Sequence, residues 1–350
     1  MQKTKIAGIG MYVPANVFTN NDLLKYMDTS DEWIQERTGI KERRYAHRTE
    51  ETTTTMGVEA AKIAIERAGI TPQDIDFIIF ATLSPDYYFP GCGVLLQRAM
   101  KMKDVGALDV RNQCSGFVYA LSVGDQFIKT GMYKNILVVG AEKHSFGLDF
   151  STRGRNVSVI FGDGAGAVVL QPTSNNNQGI LSTHLHSDGA NAEILAMYNP
   201  GTHANHWMKE HPVADFKQAE IGEMFMSHEM IDNAQNFPNM DGPSVFKVAV
   251  EKFPAVIKEA LEANNLQTSD LSLLIPHQAN LRISQFVQKK MGLSDDQVYN
   301  NIQKFGNTTA ASVPIALCEA WEQGKIKEGD LVCLAAFGSG FTWASALLRW

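Results

Sequence analysis

Long apolar runs are missing from this chain of 350 residues. No stretch approaches the roughly 20 apolar residues of a membrane-spanning helix. The opening segment MQKTKIAGIGMYVP lacks the apolar core of a secretory signal. The expectation is a cytoplasmic protein with no membrane partner. Cysteine is scarce as well: Cys92, Cys114, Cys318 and Cys333 are scattered, and none forms a CxxC pair. That spacing indicates neither a disulfide framework nor a zinc site. Positive charge is not in excess; the formal net charge of −7 leaves no basic footprint for nucleic acid. Nor is there the low hydrophobicity of a disordered chain.

What remains is an ordinary globular composition, long enough for two domain-sized units or one large domain with an internal duplication. A duplication is what the order of segments shows. Lys5 to Tyr12 reads as a strand closed by Pro14, and a short helix follows from Thr19 to Met27, with Thr19 or Asn20 as N-cap. Thr52 to Ala68 is an amphipathic helix, Ile75 to Thr82 an apolar strand, and Gly106 to Val110 another. Asn135 to Gly140 is the next strand, and Val157 to Leu170 reads as two β segments broken at FGDGAG. The second half repeats this grammar. TSDLSLLIPHQA parallels TPQDIDFIIFAT, Gly306 to Leu317 takes the place of the Cys114 helix, and FGSGFTWASALLRW matches FGDGAGAVVL. Each half is an α/β unit with apolar strands suited to a sheet covered on both faces.

Cys114 opens a helix that is apolar on most faces (Phe117, Leu121, Phe127, Ile128). Unpaired N–H groups and the positive dipole end at a helix start favour a thiolate, the form that attacks carbonyl carbon. A buried, inert cysteine fits the same stretch. The repeat separates these readings. His277 follows the second-half buried strand, and Asn307 opens the helix equivalent to that of Cys114. All three fall at the carboxyl ends of strands, where open α/β sheets bind ligands, and together they suit acyl transfer. Trp33 beside Arg37 could stack on a purine, or could be a half-buried surface tryptophan; the residues alone favour the second.

The strings TSDEWIQERTGI, QCSGFVYAL, FGDGAGAVVL, FKVAV, IPHQANLRI, GNTTAASVPIAL and FGSGFTWASALLRW span nearly the whole chain. They resemble the thiolase-fold condensing enzymes, most closely the beta-ketoacyl-acyl-carrier-protein synthase III family. The resemblance implies a thiolase-like α/β fold of two duplicated halves in αβαβα layers. The first half, 1–175, would carry the cysteine; the second, 176–350, would carry the histidine and asparagine, with a cap insertion around 191–241. It implies an acyltransferase that condenses an acyl-CoA primer with malonyl-ACP, with Cys114 as acyl acceptor and His277 and Asn307 as partners in decarboxylation. An oxyanion hole would use the backbone N–H groups of Cys114 and Ser339. Trp33, Arg37 and Arg153 would hold the CoA nucleotide, which reverses the surface reading of Trp33. Arg282 and Lys289 would dock the acyl carrier protein, and Phe89 would close the acyl pocket of a homodimer partner. No cofactor or metal is implied.

Departures accompany the match. Asn191 to Asp241 is longer than compact members of that family need, and Pro243 stands where they tend to be polar. His203, His206, His211 and His228 lack metal-ligand spacing and are read as surface or cap residues. A degradative thiolase would need a second cysteine in the C-terminal glycine loop, and FGSG has none; Cys333 is read as core. Elongating synthases carry a second histidine where Asn307 stands. A head-to-head joiner of long acyl chains and a secondary-metabolite acyltransferase stay open on sequence, whereas an intact Cys114, His277 and Asn307 argues against a non-catalytic carrier-binding subunit.

Overall fold

The repeat reappears as strand order. In a computed structural model describing residues 2–201 and 226–350, the first main sheet holds β1 (Lys3–Tyr12), β2 (Phe77–Ala81), β3 (Gly106–Val110), β4 (Ile136–Glu142) and β5 (Gly164–Thr173). The second holds β6 (Gly179–Ser187), β7 (Leu273–Pro276), β8 (Leu331–Gly338) and β9 (Thr342–Arg349). Their orders are β1-β5-β4-β2-β3 and β6-β9-β8-β7. In both, the first two pairings are antiparallel and the third is parallel. Reading β6 for β1, β9 for β5, β8 for β4 and β7 for β2 maps one sheet onto the other. Only β3, parallel to β2, lacks a full counterpart; in its place Val298 makes a single parallel bridge to Leu274.

The sheets form because their strands are apolar on both faces. β4 is buried along its whole length, as is β8, the pattern of strands covered by helices on both sides. The helix Thr53–Arg67 is capped by the Thr52 hydroxyl and buries Met56, Ala60, Ala61, Ala64 and Ile65. These share a core with Ile78, Phe80, Leu137 and Val139 on the outer face of the first sheet. Helices Gly116–Lys129 and Ser312–Glu322 lie between the sheets, where Phe117, Leu121, Val313 and Leu317 join Ile79 and Val138 from one side and Ile275 and Leu334 from the other. Helices Gly242–Glu262 and Leu281–Met291 cover the outer face of the second sheet. The result is the five-layer αβαβα arrangement of a thiolase-like fold.

One strand expectation fails. Of Val157 to Leu170, only the part from Gly164 is strand, and Arg155–Ser158 is a helical turn. Val157, Val159, Ile160 and Phe161 are buried instead in a separate cluster with Leu23, Met27, Ile34 and Ile302. A short apolar, β-branched run reads alike in both settings.

The insertion begins with a 3-10 segment, Gly189–Ile194, and pairs Leu195–Ala196 with Asn239–Met240. His228 is exposed at the start of a short helix, His228–Asp232. His203, His206 and His211 lie outside the described residues. Pro243 falls in the first turn of its helix, where no N–H is required. Among the described residues no helix is long and apolar enough to cross a membrane.

Candidate active site

β3 ends at Val110, and four residues later the chain reaches Cys114 inside a 3-10 turn, Gln113–Ser115, that feeds the helix Gly116–Lys129. The sequence suggests the first α-helical turn; the tighter turn arises because Gln113 adopts φ +43, a conformation rare for residues other than glycine. The other side of the sulfur is closed by Gly338, where an added Cβ would lie 2.7 Å from Cys114 Sγ. Only a glycine lets β8 end so close.

The backbone N–H groups of Ser339 and of Cys114 itself favour the charged form of the sulfur. Burial outweighs them. With Cys114 only 8% exposed, desolvation first and the nearby Glu142 second push its pKa up to about 12. The resting group is a thiol, contrary to the thiolate expected from a helix start.

His277 directly follows β7, its N–H bonded to Ala335 O at 2.7 Å. Burial, with a smaller effect of His144, lowers its pKa to about 3, so the imidazole is neutral. Nδ1 lies 2.6 Å from Ser312 Oγ, and Nε2 is buried without a hydrogen-bond partner among the described residues. Ser312 Oγ also donates to Thr309 O at 2.9 Å. That hydroxyl has one hydrogen to give, so its direction decides which imidazole nitrogen is protonated.

Asn307 is fixed through its backbone to Ile160 O at 2.9 Å and Gly162 N at 3.0 Å. Its Oδ1 accepts the Thr309 N–H at 2.8 Å, which leaves the amide N–H groups to offer a ligand. The turn holding Cys114 packs against the 3-10 turn Thr309–Ala311, and Gly140 of β4 makes room for that second turn: a Cβ there would lie 2.4 Å from Ala310 O. The structure thus brings the elements bearing Cys114, His277 and Asn307 together at the carboxyl ends of the parallel strands.

Four residues at this site were not singled out from sequence. Glu142 ends β4 fully buried and accepts from Thr82 Oγ1 (3.1 Å), Leu83 N (3.2 Å) and Ser84 N (3.1 Å); burial raises its pKa to about 7. His144 follows it, with its ring 4.6 Å from Phe161 and Nε2 2.7 Å from Thr309 Oγ1. Thr309 and Ser312 complete the set. The available signal was an ionisable pair, Glu142 and His144, directly after a buried strand at the end where His277 emerges.

Farther out, Trp33 is half-buried on the helix Asp31–Thr38. Two guanidinium groups flank its ring, Arg37 at 4.5 Å and Arg155 at 5.1 Å from the centroid. Arg153, expected there, is instead 2.7 Å from Asp149 and 6.0 Å from the Phe237 ring. The cause is a 3-10 turn, Thr152–Gly154, leading into the helical turn Arg155–Ser158, which turns Arg155 inward. Arg282 and Lys289 are exposed seven residues apart on the helix Leu281–Met291, with Phe286, 40% exposed, between them. Phe89 is 80% exposed beside Tyr87 and Tyr88. The Ser339 hydroxyl donates to Leu195 O and so ties the glycine loop to the insertion.

Comparison with known proteins places the chain in a family. Residues 108–189 match the family model described as 3-oxoacyl-[acyl-carrier-protein] synthase III, and residues 261–350 match its C-terminal model. A beta-ketoacyl-[acyl-carrier-protein] synthase III of Aquifex aeolicus is 44% identical over 347 residues, 99% of each chain. The crystal structure of the Aquifex aeolicus synthase superposes with a TM-score of 0.85, covering 99% of this chain and 100% of that one. The Thermus thermophilus synthase III structure, 36% identical, gives 0.86 over 99% of both chains.

Proposed function

Because the chain belongs to the beta-ketoacyl-acyl-carrier-protein synthase III family of condensing acyltransferases, we propose that Cys114 is its acyl-accepting nucleophile, with His277 and Asn307 as the partners that drive decarboxylation. The family reaction starts fatty acid biosynthesis from an acyl-CoA and malonyl-ACP. In the first half-reaction the Cys114 sulfur displaces CoA from the primer, and the thiol proton ends on the departing CoA sulfur. The tetrahedral oxyanion forms against the N–H groups of Cys114 and Ser339, the two backbone groups that favour charge on the sulfur.

Malonyl-ACP then binds with its thioester oxygen between the Asn307 amide N–H and His277 Nε2. For Nε2 to donate, the Ser312 hydroxyl hydrogen must turn from Thr309 O to His277 Nδ1 as malonyl-ACP binds. Loss of carbon dioxide places enolate charge on that oxygen, where two fixed donors are each worth a few kcal/mol, on the order of 3. The carbanion attacks the acyl-cysteine carbonyl. Collapse expels the Cys114 sulfur as thiolate, which takes up one proton from solvent, and releases beta-ketoacyl-ACP.

Trp33 with Arg37 and Arg155 would grip the CoA nucleotide by stacking and charge. Arg155 takes the place first given to Arg153, since it faces the ring. Arg282 and Lys289 would steer the acidic carrier protein, with Phe286 as the apolar centre of the patch. The exposed Phe89 loop and the outer edge of β3 suit a homodimer in which Phe89 enters the partner's acyl pocket. The reaction as drawn uses no cofactor.

One observation carries the reading: a buried sulfur whose charge two backbone N–H groups favour, and, at the same end of the sheets, a buried imidazole nitrogen with no partner among the described residues. The test is incubation with a panel of acyl-CoAs followed by intact mass measurement. A single acyl adduct mapping to Cys114 is the expected result. An adduct on another residue, or none with any donor, would falsify the assignment.

A further inference from the structure

Thr309 is a β-branched residue held at φ +48, where such side chains are rare. It is 1% exposed, and three of its groups are committed. Its N–H donates to Asn307 Oδ1 at 2.8 Å. Its carbonyl accepts the Ser312 hydroxyl at 2.9 Å, and Ser312 Oγ lies 2.6 Å from His277 Nδ1. Its own hydroxyl meets His144 Nε2 at 2.7 Å and is only weakly placed toward Asn307 Oδ1, at 3.5 Å. Gln113 has a similar φ at the equivalent turn of the first half, so the backbone strain belongs to the turn. The threefold bonding belongs to Thr309.

We propose that Thr309 is a positioning residue that holds Asn307 and His277 in one register, with His144 fixing its hydroxyl. At rest both decarboxylation partners hang from a single residue: Asn307 from its amide, and His277 through the Ser312 hydroxyl on its carbonyl, whose hydrogen passes to Nδ1 when Nε2 donates. His144 suits the role of anchor. Burial keeps its pKa at about 3, so it stays neutral, adding no positive charge beside His277 while keeping both a donor and an acceptor nitrogen. With the hydroxyl tethered, the 309 peptide cannot swing, and the oxygen-facing groups of Asn307 and His277 keep their spacing. That spacing matters only when a thioester oxygen must be met by both at once. Thr309 therefore acts on decarboxylation and not on acylation of Cys114.

This rests on the assignment of Asn307 and His277 above, and the experiment separates the two. Acylation of Cys114 and decarboxylation of malonyl-ACP are measured separately for Thr309→Val, which keeps the β-branch and removes the hydroxyl, and for Thr309→Ser, which restores it. His277→Ala and Asn307→Ala are run alongside. Thr309→Val is expected to slow decarboxylation by about 10- to 100-fold, with KM for malonyl-ACP changed by less than about 2-fold and acylation by less than about 3-fold. Thr309→Ser should return to within about 3-fold of the parent. Decarboxylation at the parent rate in Thr309→Val, equal loss of both half-reactions, or a serine variant as slow as the valine one overturns the proposal. Should Thr309→Val not fold, His144→Leu, which removes the tether and leaves residue 309 intact, must give the same split or the proposal falls. Normal decarboxylation by His277→Ala and Asn307→Ala would sink the site assignment itself; defects there with a normal Thr309→Val would sink only the positioning role.

Discussion

The two halves of this molecule make the same turn and use it differently. In the first, Gln113 at φ +43 opens a 3-10 turn whose next residue is Cys114; in the second, Thr309 at φ +48 opens a 3-10 turn whose next residue is Ala310. Each turn leads into a buried helix, and each is allowed by a glycine on a neighbouring strand, Gly338 under Cys114 and Gly140 under Ala310. One turn presents a sulfur. The other presents nothing at that position and instead fixes the residues around it, Asn307 and, through Ser312, His277. A duplicated fold can thus divide chemistry between copies of one motif, with the nucleophile on one and the charge-stabilising groups on the other.

The comparison can be broken most sharply at Cys114. Cys114→Ala gives the first turn the residue its counterpart already carries, so the fold should survive, with Tm shifted by no more than about 5 °C. The acyl adduct should vanish and turnover should fall by at least about 1,000-fold. Circular dichroism and intact mass check both parts. Next in size, His277→Ala and Asn307→Ala should keep the adduct while decarboxylating malonyl-ACP about 100- to 1,000-fold more slowly. Loss of both half-reactions together in either variant would contradict the division of labour.

The two glycines give a smaller, paired effect. Gly338→Ala places a methyl against Cys114 Sγ, and Gly140→Ala places one against Ala310 O. Each should cost about 1–3 kcal/mol of stability by overpacking. Acylation should suffer more in Gly338→Ala and decarboxylation more in Gly140→Ala; rate measurements that reverse this order would show the turns are not independent.

Smallest is the response to acid. Burial holds His144 and His277 at pKa values of about 3, below the ordinary 6.5. Between pH 6.5 and 3 the unfolded chain binds protons there that the native chain does not, so stability falls as pH drops through that window. Glu142, raised from 4.5 to about 7 by burial, acts the other way between pH 4.5 and 7, being protonated when native and ionised when unfolded. His144→Leu removes one histidine contribution. Its Tm relative to the parent should rise by a few degrees, about 2–4 °C, between pH 7 and pH 5; a flat difference would mean His144 does not titrate on unfolding.

Sequence periodicity carried the architecture because apolar strands at repeated spacing leave few ways to stack. It also pointed to the convergence of the turns that bear Cys114, His277 and Asn307, each marked by its place just after a buried strand or just before a buried helix. It failed where the backbone departs from its local preference. Nothing in the letters of Thr309 announces a left-handed conformation, since β-branching argues against one. Arg153 and Arg155 are two residues apart, and only the sequence of a 3-10 turn and a helical turn decides which meets Trp33. The state of the sulfur was misjudged for another reason: a helix start is a local feature, whereas desolvation is set by the opposite half, through β8 and Gly338.

The lone bridge between Val298 and Leu274 has a consequence for assembly. The segment that makes it closes the β7 margin: Tyr299 N–H bonds Leu274 O, and the Gln297 side chain bonds Leu271 O. The first sheet ends at β3 with its outward amides uncovered by any described strand. A strand from another chain can therefore add at the β3 border in a way that the β7 border does not offer.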